Sequence, residues 1–516
     1  MAEPLTPVSR GLVALVFATA VGVYLPTARY GFVEDDRAVV ATNPRAHSIP
    51  QALRGFDQPY WGEEFYRPLT VLSFAVDWTV SGGRAGWLHL MNAVWHGIAS
   101  VLVALVLARA LSPAAAVAGG LVFALHPVHT EAVAGLVGRA EVLAAVGMLG
   151  ALLCARRRRW AAAVACAAAA MLSKEHGVIT GVLIVLDRWL QRPDEPPYPR
   201  SLYVALGIVT AVFLAAWYVI GRRATGDVAP VFLGAETAQR LDIALPGVLR
   251  AAWLLAWPLN LSADYGPRVI PAYRAFSLAA LGGAVIVVLV LAGGWRIRRT
   301  APPLTFAAWA AAAAYLPTSN LLFPSGIVLA ERALYVPALL AAAAFGFAVQ
   351  WAHGRWTPQR VGVVTVAVLS VLAGRTLTRL PVWRDNRTFL ITLLADHPES
   401  YWGHWSAAAV LAGIGDTGAA RREYARADSL FDGDPHLDAA RALFLVGLSD
   451  SASARPLVDR ARRRLPFEPV ALRAQFVLAL RGGDQARAVA LADTARGHVP
   501  WEAAWYDAQF DARPRR

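Results

Sequence analysis

Apolar residues occupy the first 380 residues in long blocks, and short polar connections separate these blocks. Several blocks reach about 18 residues, which as a helix is long enough to cross the ~30 Å hydrocarbon core of a bilayer. The pattern therefore predicts a multi-spanning, all-α membrane protein with about 11 spans. The predicted spans are residues 11–28, 87–108, 113–126, 139–155, 160–173, 177–190, 201–220, 275–294, 302–317, 332–351 and 360–378.

Arginine-rich connections set the predicted orientation of these spans. Short loops rich in Lys and Arg remain on the cytoplasmic side of a membrane. This rule predicts a cytoplasmic N-terminus, an outer loop over residues 30–86 and an external location for everything after residue 378. If residues 237–258 crossed the membrane, the arginine-rich connection 295–300 would lie outside. We therefore predict that they form a helix along the outer surface rather than a span. Four arginine-rich connections lie on the predicted cytoplasmic side: 155–159, 187–200, 295–300 and 353–360.

The last quarter of the chain has a different pattern. From about Arg384 onward charged and helix-forming residues increase, and no further apolar block follows. Prolines recur there at intervals of 37, 34 and 31 residues, close to the period of tetratricopeptide helix pairs. The prolines are Pro398, Pro435, Pro469 and Pro500. We therefore predict a membrane domain over residues 1–380 and about three tetratricopeptide-like repeats over residues 381–516, with a generic helical bundle as the alternative.

Composition supports the membrane assignment and excludes other classes of protein. Of the 516 residues, 57% are hydrophobic and 16% are charged, whereas a soluble protein carries about 25% charged residues. The formal net charge of +13 follows from arginines in the connections, so we expect no nucleic-acid partner. Cys154 and Cys166 lie in or beside predicted spans and imply no disulfide framework. The first apolar block lacks a clear small-residue cleavage site, so we expect an uncleaved first span.

Three consecutive carboxylates, Glu34, Asp35 and Asp36, follow the first span. Like charges held close together raise the pKa of one of them, which is a usual device of general-base chemistry. The alternatives are a divalent cation bound through the same oxygens and a simple interfacial anchor. A loop as long as residues 30–86 is usually functional in a compact protein, which favours a site.

The segment "ALHPVHTEAVAGLVGRAEVLAA" concentrates polar residues beside a predicted span. His126 and His129 have a spacing that is typical of metal sites. Pro127 breaks the helical register that would align the two rings, and zinc would need a third ligand in fixed geometry. A polar lining of an outer cavity is therefore the favoured interpretation.

Lys174 is the one lysine in a chain with 49 lysine and arginine residues. A compact ammonium group contacts phosphate or carboxylate as a point charge, which a forked guanidinium replaces poorly. We therefore predict such a contact for Lys174, with a snorkelling interfacial lysine as the alternative. Further along, Arg332 beside Glu331 fits either an intramembrane ion pair or a contact to the phosphate of a lipid donor.

Seven motifs follow one another along the chain: "GFVEDD…NP", "YRPLT", "HLMNAVWHG", "HPVHTEAVAGLVGRAE", "SKEHG", "LNLSADYG" and "FPSGIVLAERALYVP". In this order they resemble the transmembrane-and-tetratricopeptide O-mannosyltransferase family of the GT-C glycosyltransferase superfamily. The resemblance covers nearly the whole chain, although about three repeats is fewer than in the family's long arrays. It implies a GT-C-like helical bundle with an external α-solenoid. It also implies an inverting enzyme that takes a mannose-like sugar from a polyprenyl-phosphate donor.

The resemblance assigns roles to residues. The family's acidic pair after the first span corresponds to Asp35 and Asp36, the expected catalytic acids, with Asp35 as the base. Nearby cations, rather than residues that the family assigns, are expected to stabilise the leaving phosphate, and the candidates are Lys174, Arg139 and Arg332. No cofactor is expected, apart from the divalent cation that the acids could hold. The expected lining of the outer cavity comprises Glu34, Tyr66, Arg67, His89, His126, His129, Glu131, Glu141, Glu175, Asp264, Glu331 and Tyr335.

The expected partners are the lipid bilayer, the polyprenyl-phosphate-linked sugar and a protein or peptide acceptor docked on the repeats, or another envelope acceptor. The Arg- and Ala-rich composition predicts a bacterial inner membrane, with site and repeats on the external side. A non-enzymatic scaffold that assembles envelope complexes through its repeats is the main alternative. Such a scaffold has no need of acids, histidines and a unique lysine at span ends. A sugar-lipid flippase would place polar residues along the whole crossing path, whereas here they gather on one face.

Overall fold

The computed structural model describes residues 8–60, 65–190, 195–221, 228–270 and 277–511. Within these ranges the secondary structure is helical, apart from an isolated bridge between Pro267 and Ile270, which confirms the predicted all-α class. The chain divides into two compact units. Unit 1 comprises Met1–Asp227, Thr237–Tyr265 and Ala272–Thr392, and unit 2 comprises Val228–Glu236, Gly266–Pro271 and Leu393–Arg516.

Seventeen of the α-helices that the structure describes begin in unit 1, and the division between the two units falls within the last of them. They are α1 (Arg10–Tyr24), α2 (Ile49–Arg54), α3 (Pro68–Ser81), α4 (Ala85–Leu107), α5 (Pro113–Leu125), α6 (Thr130–Ala134), α7 (Arg139–Arg156), α8 (Trp160–Ser173), α9 (Thr180–Leu190), α10 (Arg200–Ala216), α11 (Thr237–Ala256), α12 (Leu278–Val288), α13 (Gly294–Ile297), α14 (Pro302–Tyr315), α15 (Leu339–His353), α16 (Pro358–Arg379) and α17 (Asn386–Asp396).

Short helices join these elements. The 3₁₀ helices are Leu25–Arg29, Pro44–His47, Gly55–Asp57, Pro127–His129, Leu136–Gly138, Glu175–Ile179, Pro230–Phe232, Leu316–Thr318, Glu331–Leu334, Leu380–Trp383 and Pro500–Glu502. The π-helical segments are Arg37–Ala41, Trp217–Gly221 and Leu289–Gly293. Several of the 3₁₀ helices carry the motifs that the sequence singles out.

Six helices are long and apolar enough to cross a membrane, which supports an integral membrane protein. They are Arg10–Arg29, Ala85–Leu107, Leu136–Arg156, Arg200–Ile220, Leu278–Ile297 and Pro358–Trp383, with shorter apolar helices at Pro113–Leu125, Trp160–Ser173 and Leu339–His353. Every span predicted from the sequence falls largely on helical residues where the structure describes it. The additional crossings, the orientation and the surface position of α11 stay predictions.

Helices α4 and α7 form the interior of unit 1. Of the apolar window in each, 56% of Ala85–Leu107 and 78% of Leu136–Arg156 is buried. Helix α8 packs on α7 through Ala163, Ala167 and Ala170, which are fully buried and recur at helical spacing on one face. Small residues let helices in a membrane approach closely and gain packing contacts. Charged groups carried by these inner helices must therefore find partners within the protein.

The predicted outer loop is folded rather than extended. Val39, Val40 and Phe74 join Leu88 of α4 and Leu136 in one buried apolar cluster. This cluster holds the segment that follows the triple acid against the start of the second and third long apolar helices. The chain that follows the acids is therefore fixed by packing.

Unit 2 contains helix pairs with a constant period. Its first helices begin at Tyr401, Pro435, Pro469 and Ala503, at intervals of 34 residues. They are α18 (Tyr401–Gly413), α19 (Thr417–Leu430), α20 (Pro435–Gly447), α21 (Ser451–Arg464), α22 (Pro469–Arg481), α23 (Gln485–His498) and α24 (Ala503–Asp511).

Equivalent caps begin the second helix of each pair. Asp416, Asp450 and Asp484 each accept a hydrogen bond from the backbone N–H three residues later. Such caps satisfy backbone donors that a helix leaves open at its N-terminus. The regular period and caps fit the predicted repeats, and their assignment as tetratricopeptide units stays a prediction.

Candidate active site

Asp36 is buried, and its carboxylate accepts hydrogen bonds from two backbone N–H groups. Its Oδ2 accepts from the Val33 N–H at 3.2 Å, and its Oδ1 accepts from the Val137 N–H at 3.0 Å. Its exposed fraction is 2%. Burial raises the pKa of Asp36 to about 7, although the backbone N–H groups act in the opposite direction. Asp36 therefore ties the outer loop to the turn that precedes α7.

Glu34 adopts a left-handed backbone conformation with φ +48°, which is unusual for a residue with a side chain. Its N–H donates to Oδ1 of Asn386 at 2.7 Å. The neighbouring Gly31 N–H donates to the Arg384 carbonyl at 3.0 Å. Burial and then the Asp35 charge raise the pKa of Glu34 to about 7. Residues 384–386, which the sequence analysis did not select, thus hold the acidic turn in place.

Asp35 is half-buried, and no described residue forms a hydrogen bond or ion pair with its carboxylate. It does interact electrostatically with the guanidinium of Arg332. The backbone contacts of Glu34 and Asp36 fix the residues on either side of it. Asp35 is therefore a positioned carboxylate that is open to a ligand.

Lys174 pairs with a buried carboxylate. Its Nζ donates to Oε1 of Glu141, and His176 Nδ1 lies 3.5 Å from Oε2 of the same Glu141. Burial lowers the pKa of Lys174, and Glu141 acts in the opposite direction. The position of His176 in "SKEHG" is the only local signal that could have selected it. Lys174 thus satisfies a carboxylate contact in this structure.

Arg67 and Glu175 form a second pair. Arg67 Nε lies 3.0 Å from both Glu175 oxygens, and its Nη2 lies 2.9 Å from Oε2. The Tyr66 N–H also donates to Glu175 Oε1, at 3.3 Å. Burial acts to raise the pKa of Glu175, but Arg67, a backbone N–H and Lys174 together lower it. The predicted lining residues Tyr66, Arg67 and Glu175 are therefore brought together.

Arg332 is the most exposed of the paired cations at the site. Its Nη1 lies 3.0 Å from Glu131 Oε1, and its backbone N–H donates to Oε2 at 2.9 Å. The Arg332 side chain is 34% exposed, whereas that of Glu131 is 7% exposed. No described residue hydrogen-bonds the Nε or Nη2 group of Arg332. These donors are available to an anionic ligand.

Electrostatic interactions join the pairs into one group. Arg332 interacts with Asp35, Glu141 and Arg67 as well as with Glu131, and Lys174 interacts with Arg67 and Arg332. We call this group the charged cluster. Its members are Asp35, Arg67, Glu131, Glu141, Lys174, Glu175, His176 and Arg332.

Arg139 is held within the protein, and its predicted contact to a donor phosphate stays a prediction. It is fully buried, and its guanidinium donates to Asn92 Oδ1 at 2.6 Å, to the Leu88 carbonyl at 2.8 Å and to the Asp77 carboxylate. It also lies over the Phe74 ring, 4.3 Å from the centroid. A phosphate would have to open this network, so we assign Arg139 to holding α3, α4 and α7 together.

The predicted residues His126 and His129 lie in an aromatic group inside unit 1 rather than in the charged cluster. His129 packs 4.4 Å from the Phe123 ring and 4.5 Å from the Tyr335 ring. Tyr335 OH lies 2.7 Å from His96 Nδ1, and His126 Nε2 lies 3.1 Å from the Leu255 carbonyl. Contacts of this kind support packing between helices.

Three further predicted residues hold the chain locally. His89 Nε2 lies 3.0 Å from the Gly31 carbonyl, just before the acids. Glu331 accepts from the Ser262 N–H at 2.6 Å and from the Tyr265 hydroxyl at 2.7 Å, and burial raises its pKa to about 7. Asp264 is half-buried, and its carbonyl accepts from the Ser262 hydroxyl at 2.6 Å.

A protein-held metal site would need several converging ligands. Within the described ranges, no three His, Cys, Asp or Glu side chains converge in this way. The acids and cations can instead accept a proton and bind a phosphate.

Comparison with known sequences finds protein O-mannosyl-transferases among the relatives of this chain. Protein O-mannosyl-transferase TMTC3 of Homo sapiens is 28% identical over 66% of this chain and 42% of its own length. Protein O-mannosyl-transferase F38B6.6 of Caenorhabditis elegans is 26% identical over 81% of this chain and 62% of its own. The chain thus spans between two fifths and three fifths of these relatives. It is a distant homologue of the protein O-mannosyl-transferases, and no protein-family model matches it.

Among solved structures, the crystal structure of ArnT from Cupriavidus metallidurans bound to undecaprenyl phosphate is similar at a TM-score of 0.39. The sequence identity is 16%, and the alignment covers 96% of this chain and 79% of that one. A TM-score of this size does not establish a common fold, so the GT-C architecture stays a prediction.

The Arg139 network yields a prediction about stability. Arg139→Leu should destabilise unit 1 by about 3–5 kcal/mol, because it leaves Asp77 as an unpaired buried charge. Arg139→Leu combined with Asp77→Leu should recover much of that loss, because the unpaired charge is removed. Thermal unfolding in detergent measures both effects, and Arg384→Leu, at a 58% exposed side chain, should unfold like the wild type. An Arg139→Leu protein of wild-type stability would contradict the structural assignment.

Proposed function

We propose that this chain is an integral-membrane, inverting glycosyltransferase. It moves a mannose-like sugar from a polyprenyl-phosphate donor to a hydroxyl group of a protein or envelope acceptor. The distant homology to protein O-mannosyl-transferases supports the reaction class. The charged cluster supports a site for it in this chain.

One observation carries the proposal. In the charged cluster the carboxylates of Glu131, Glu141 and Glu175 each have a cationic partner, whereas no described residue pairs with Asp35. A general base must be free to contact the proton that it accepts. Asp35 is the carboxylate that meets this requirement, and its electrostatic partner Arg332 has unused donors.

The proposed step is a single displacement. The acceptor hydroxyl passes its proton to Asp35 while its oxygen forms a bond to the anomeric carbon. The bond between that carbon and the phosphate oxygen breaks, and its electron pair leaves with the polyprenyl phosphate. Arg332 stabilises the charge on the leaving phosphate. Lys174, which interacts electrostatically with Arg332, adds to the positive charge there. Attack opposite the departing group inverts the configuration of the sugar carbon.

The remaining features extend the proposal. A GT-C-like arrangement of about 11 spans would present the charged cluster at the external side of a bacterial inner membrane. The 34-residue helix pairs of unit 2 would act as tetratricopeptide-like repeats that dock the acceptor chain. The arginine-rich connections and the constant helix period support these assignments.

We predict different effects for the three acids. Asp35→Asn should lower turnover by roughly 10²–10⁴-fold, because it removes the base while keeping its shape. Asp36→Asn should lower both turnover and thermal stability, because an amide oxygen cannot replace two carboxylate oxygens as acceptors of backbone N–H groups. Glu34→Gln should have the smallest effect, since the Glu34 contact to Asn386 uses backbone atoms. Transfer from radiolabelled polyprenyl-phosphate sugars, with unfolding of each variant, measures these effects.

Among these three variants, Glu34→Gln is the control for Asp35→Asn. Glu34→Gln removes an acid next to Asp35, so a general loss of charge would affect it as much as Asp35→Asn. Equal activity of all three variants would reject the catalytic assignment. Absence of transfer from every polyprenyl-phosphate sugar in the wild type would reject the function itself.

Lys174 allows structural and catalytic roles to be separated. Lys174→Met should lower stability, because it leaves Glu141 buried without its ammonium partner. Adding Glu141→Gln should restore much of the stability, but the KM for the donor should stay raised if Lys174 acts on the phosphate. Unfolding temperature and donor kinetics of the two variants provide the test. If the double variant also regains the wild-type KM, Lys174 only supports Glu141.

A further inference from the structure

Three tryptophans from separate helices of unit 1 form a stack. Trp189 at the end of α9 lies 5.8 Å from Trp295 of α13 and 5.5 Å from Trp309 of α14, measured between ring centroids. Trp295 and Trp309 are 6.5 Å apart, and the three interplanar angles are 17–21°. These distances are within the range of favourable offset stacking. We call this group the tryptophan stack.

The backbone around the stack fixes one of its rings. Trp309 Nε1 donates to the Val290 carbonyl at 3.0 Å, and the Thr305 hydroxyl donates to the Gly294 carbonyl at 3.1 Å. A Cβ on Gly294 would lie 2.4 Å from Trp309 Nε1, so only glycine permits this approach. The stack therefore has a defined geometry.

The stack presents apolar surface instead of hiding it. The exposed fraction is 48% for Trp189 and 54% for Trp295. Core packing would bury such large rings, because each contributes a large apolar area. Tryptophan is enriched where membrane meets water, since its ring is apolar and its N–H is polar. The exposed rings therefore fit a lipid interface.

One arginine lies over an exposed ring of the stack, and three more are close to the rings in the sequence. The Arg298 guanidinium lies 3.8 Å from the Trp295 ring centroid, and its Nη1 donates to the Trp295 carbonyl at 2.5 Å. Arg296 and Arg299 are exposed in the same connection, and Arg188 precedes Trp189. The segment "WRIRRT" contains no acidic residue. The stack is thus apolar at its centre and cationic at its edge.

The stack lies at the end of α9 opposite the charged cluster. The 3₁₀ helix that contains Glu175 and His176 leads directly into α9, whose 11 residues rise by about 16 Å. Near the far end, Arg156 of α7 binds Asp187 of α9 at 2.6 Å. The arginine-rich end of α7 therefore contacts α9 on the side of the stack.

We propose that the tryptophan stack and its arginines bind the headgroup of an anionic phospholipid of the surrounding bilayer. The phosphate contacts Arg298 and the neighbouring guanidinium groups, because arginine forms paired hydrogen bonds with phosphate. The upper acyl chain lies against the exposed indoles and against Val288 and Leu291, which are exposed on the helical turns before Trp295. Charge complementarity selects an anionic over a zwitterionic lipid. This site is independent of the proposed sugar transfer.

Native mass spectrometry of the delipidated full chain in detergent tests the proposal. Phosphatidylglycerol and phosphatidylcholine with identical acyl chains are titrated separately, and the affinity for the first bound lipid is compared. The wild type should prefer phosphatidylglycerol by about fivefold or more, the effect of a cation near an anionic lipid surface. Trp295→Leu with Arg298→Gln should remove that preference. If this double variant does not fold, Arg298→Gln alone, which keeps the three rings, provides the same test.

A matched control exists in the same unit. Arg355 lies 4.2 Å from the ring centroid of Trp351, which is exposed but lacks the stack. Trp351→Leu with Arg355→Gln should keep the phosphatidylglycerol preference. Equal binding of the two lipids by the wild type, an unchanged preference in the stack variants, or an equal loss in the control would overturn the proposal.

Discussion

Charged side chains at the boundary of a membrane domain must be paired or solvated, because an isolated buried charge costs several kcal/mol. Unit 1 meets this constraint by pairing acids and bases from different helices, and these pairs also join the helices. Asp35 is the exception among the described acids of the charged cluster. The pairs are Arg67 with Glu175, Arg139 with Asp77, Lys174 with Glu141 and Arg332 with Glu131.

The same constraint separates two kinds of polar residue near the proposed site. Arg139 and Asp36 are buried, and their contacts fix the backbone on which the cluster is built. Arg332 and Asp35 are partly exposed and retain capacity for a ligand. Position in a motif does not distinguish the two kinds, whereas burial and partners do.

Local sequence patterns predicted much of the fold and part of the proposed site. Apolar blocks predicted the long helices, and recurring prolines predicted helix pairs whose period is 34 residues. The acids and Lys174 stood out because charge is rare there. Asn386 did not, because its contact to Glu34 joins residues 352 positions apart. The pair of Arg139 with Asp77 was also not predicted, because it joins two helices and no local spacing reveals it.

Chemical rescue tests the central claim that Asp35 is the free base among the described carboxylates of the charged cluster. The measurement is the rate of sugar transfer by Asp35→Ala and Asp36→Ala, each with and without added formate. Formate can enter the half-buried position of Asp35 and accept the acceptor proton, so Asp35→Ala should regain activity. Asp36→Ala should not, because its lost backbone contacts hold the loop. Rescue of neither variant, or of both equally, would contradict the account.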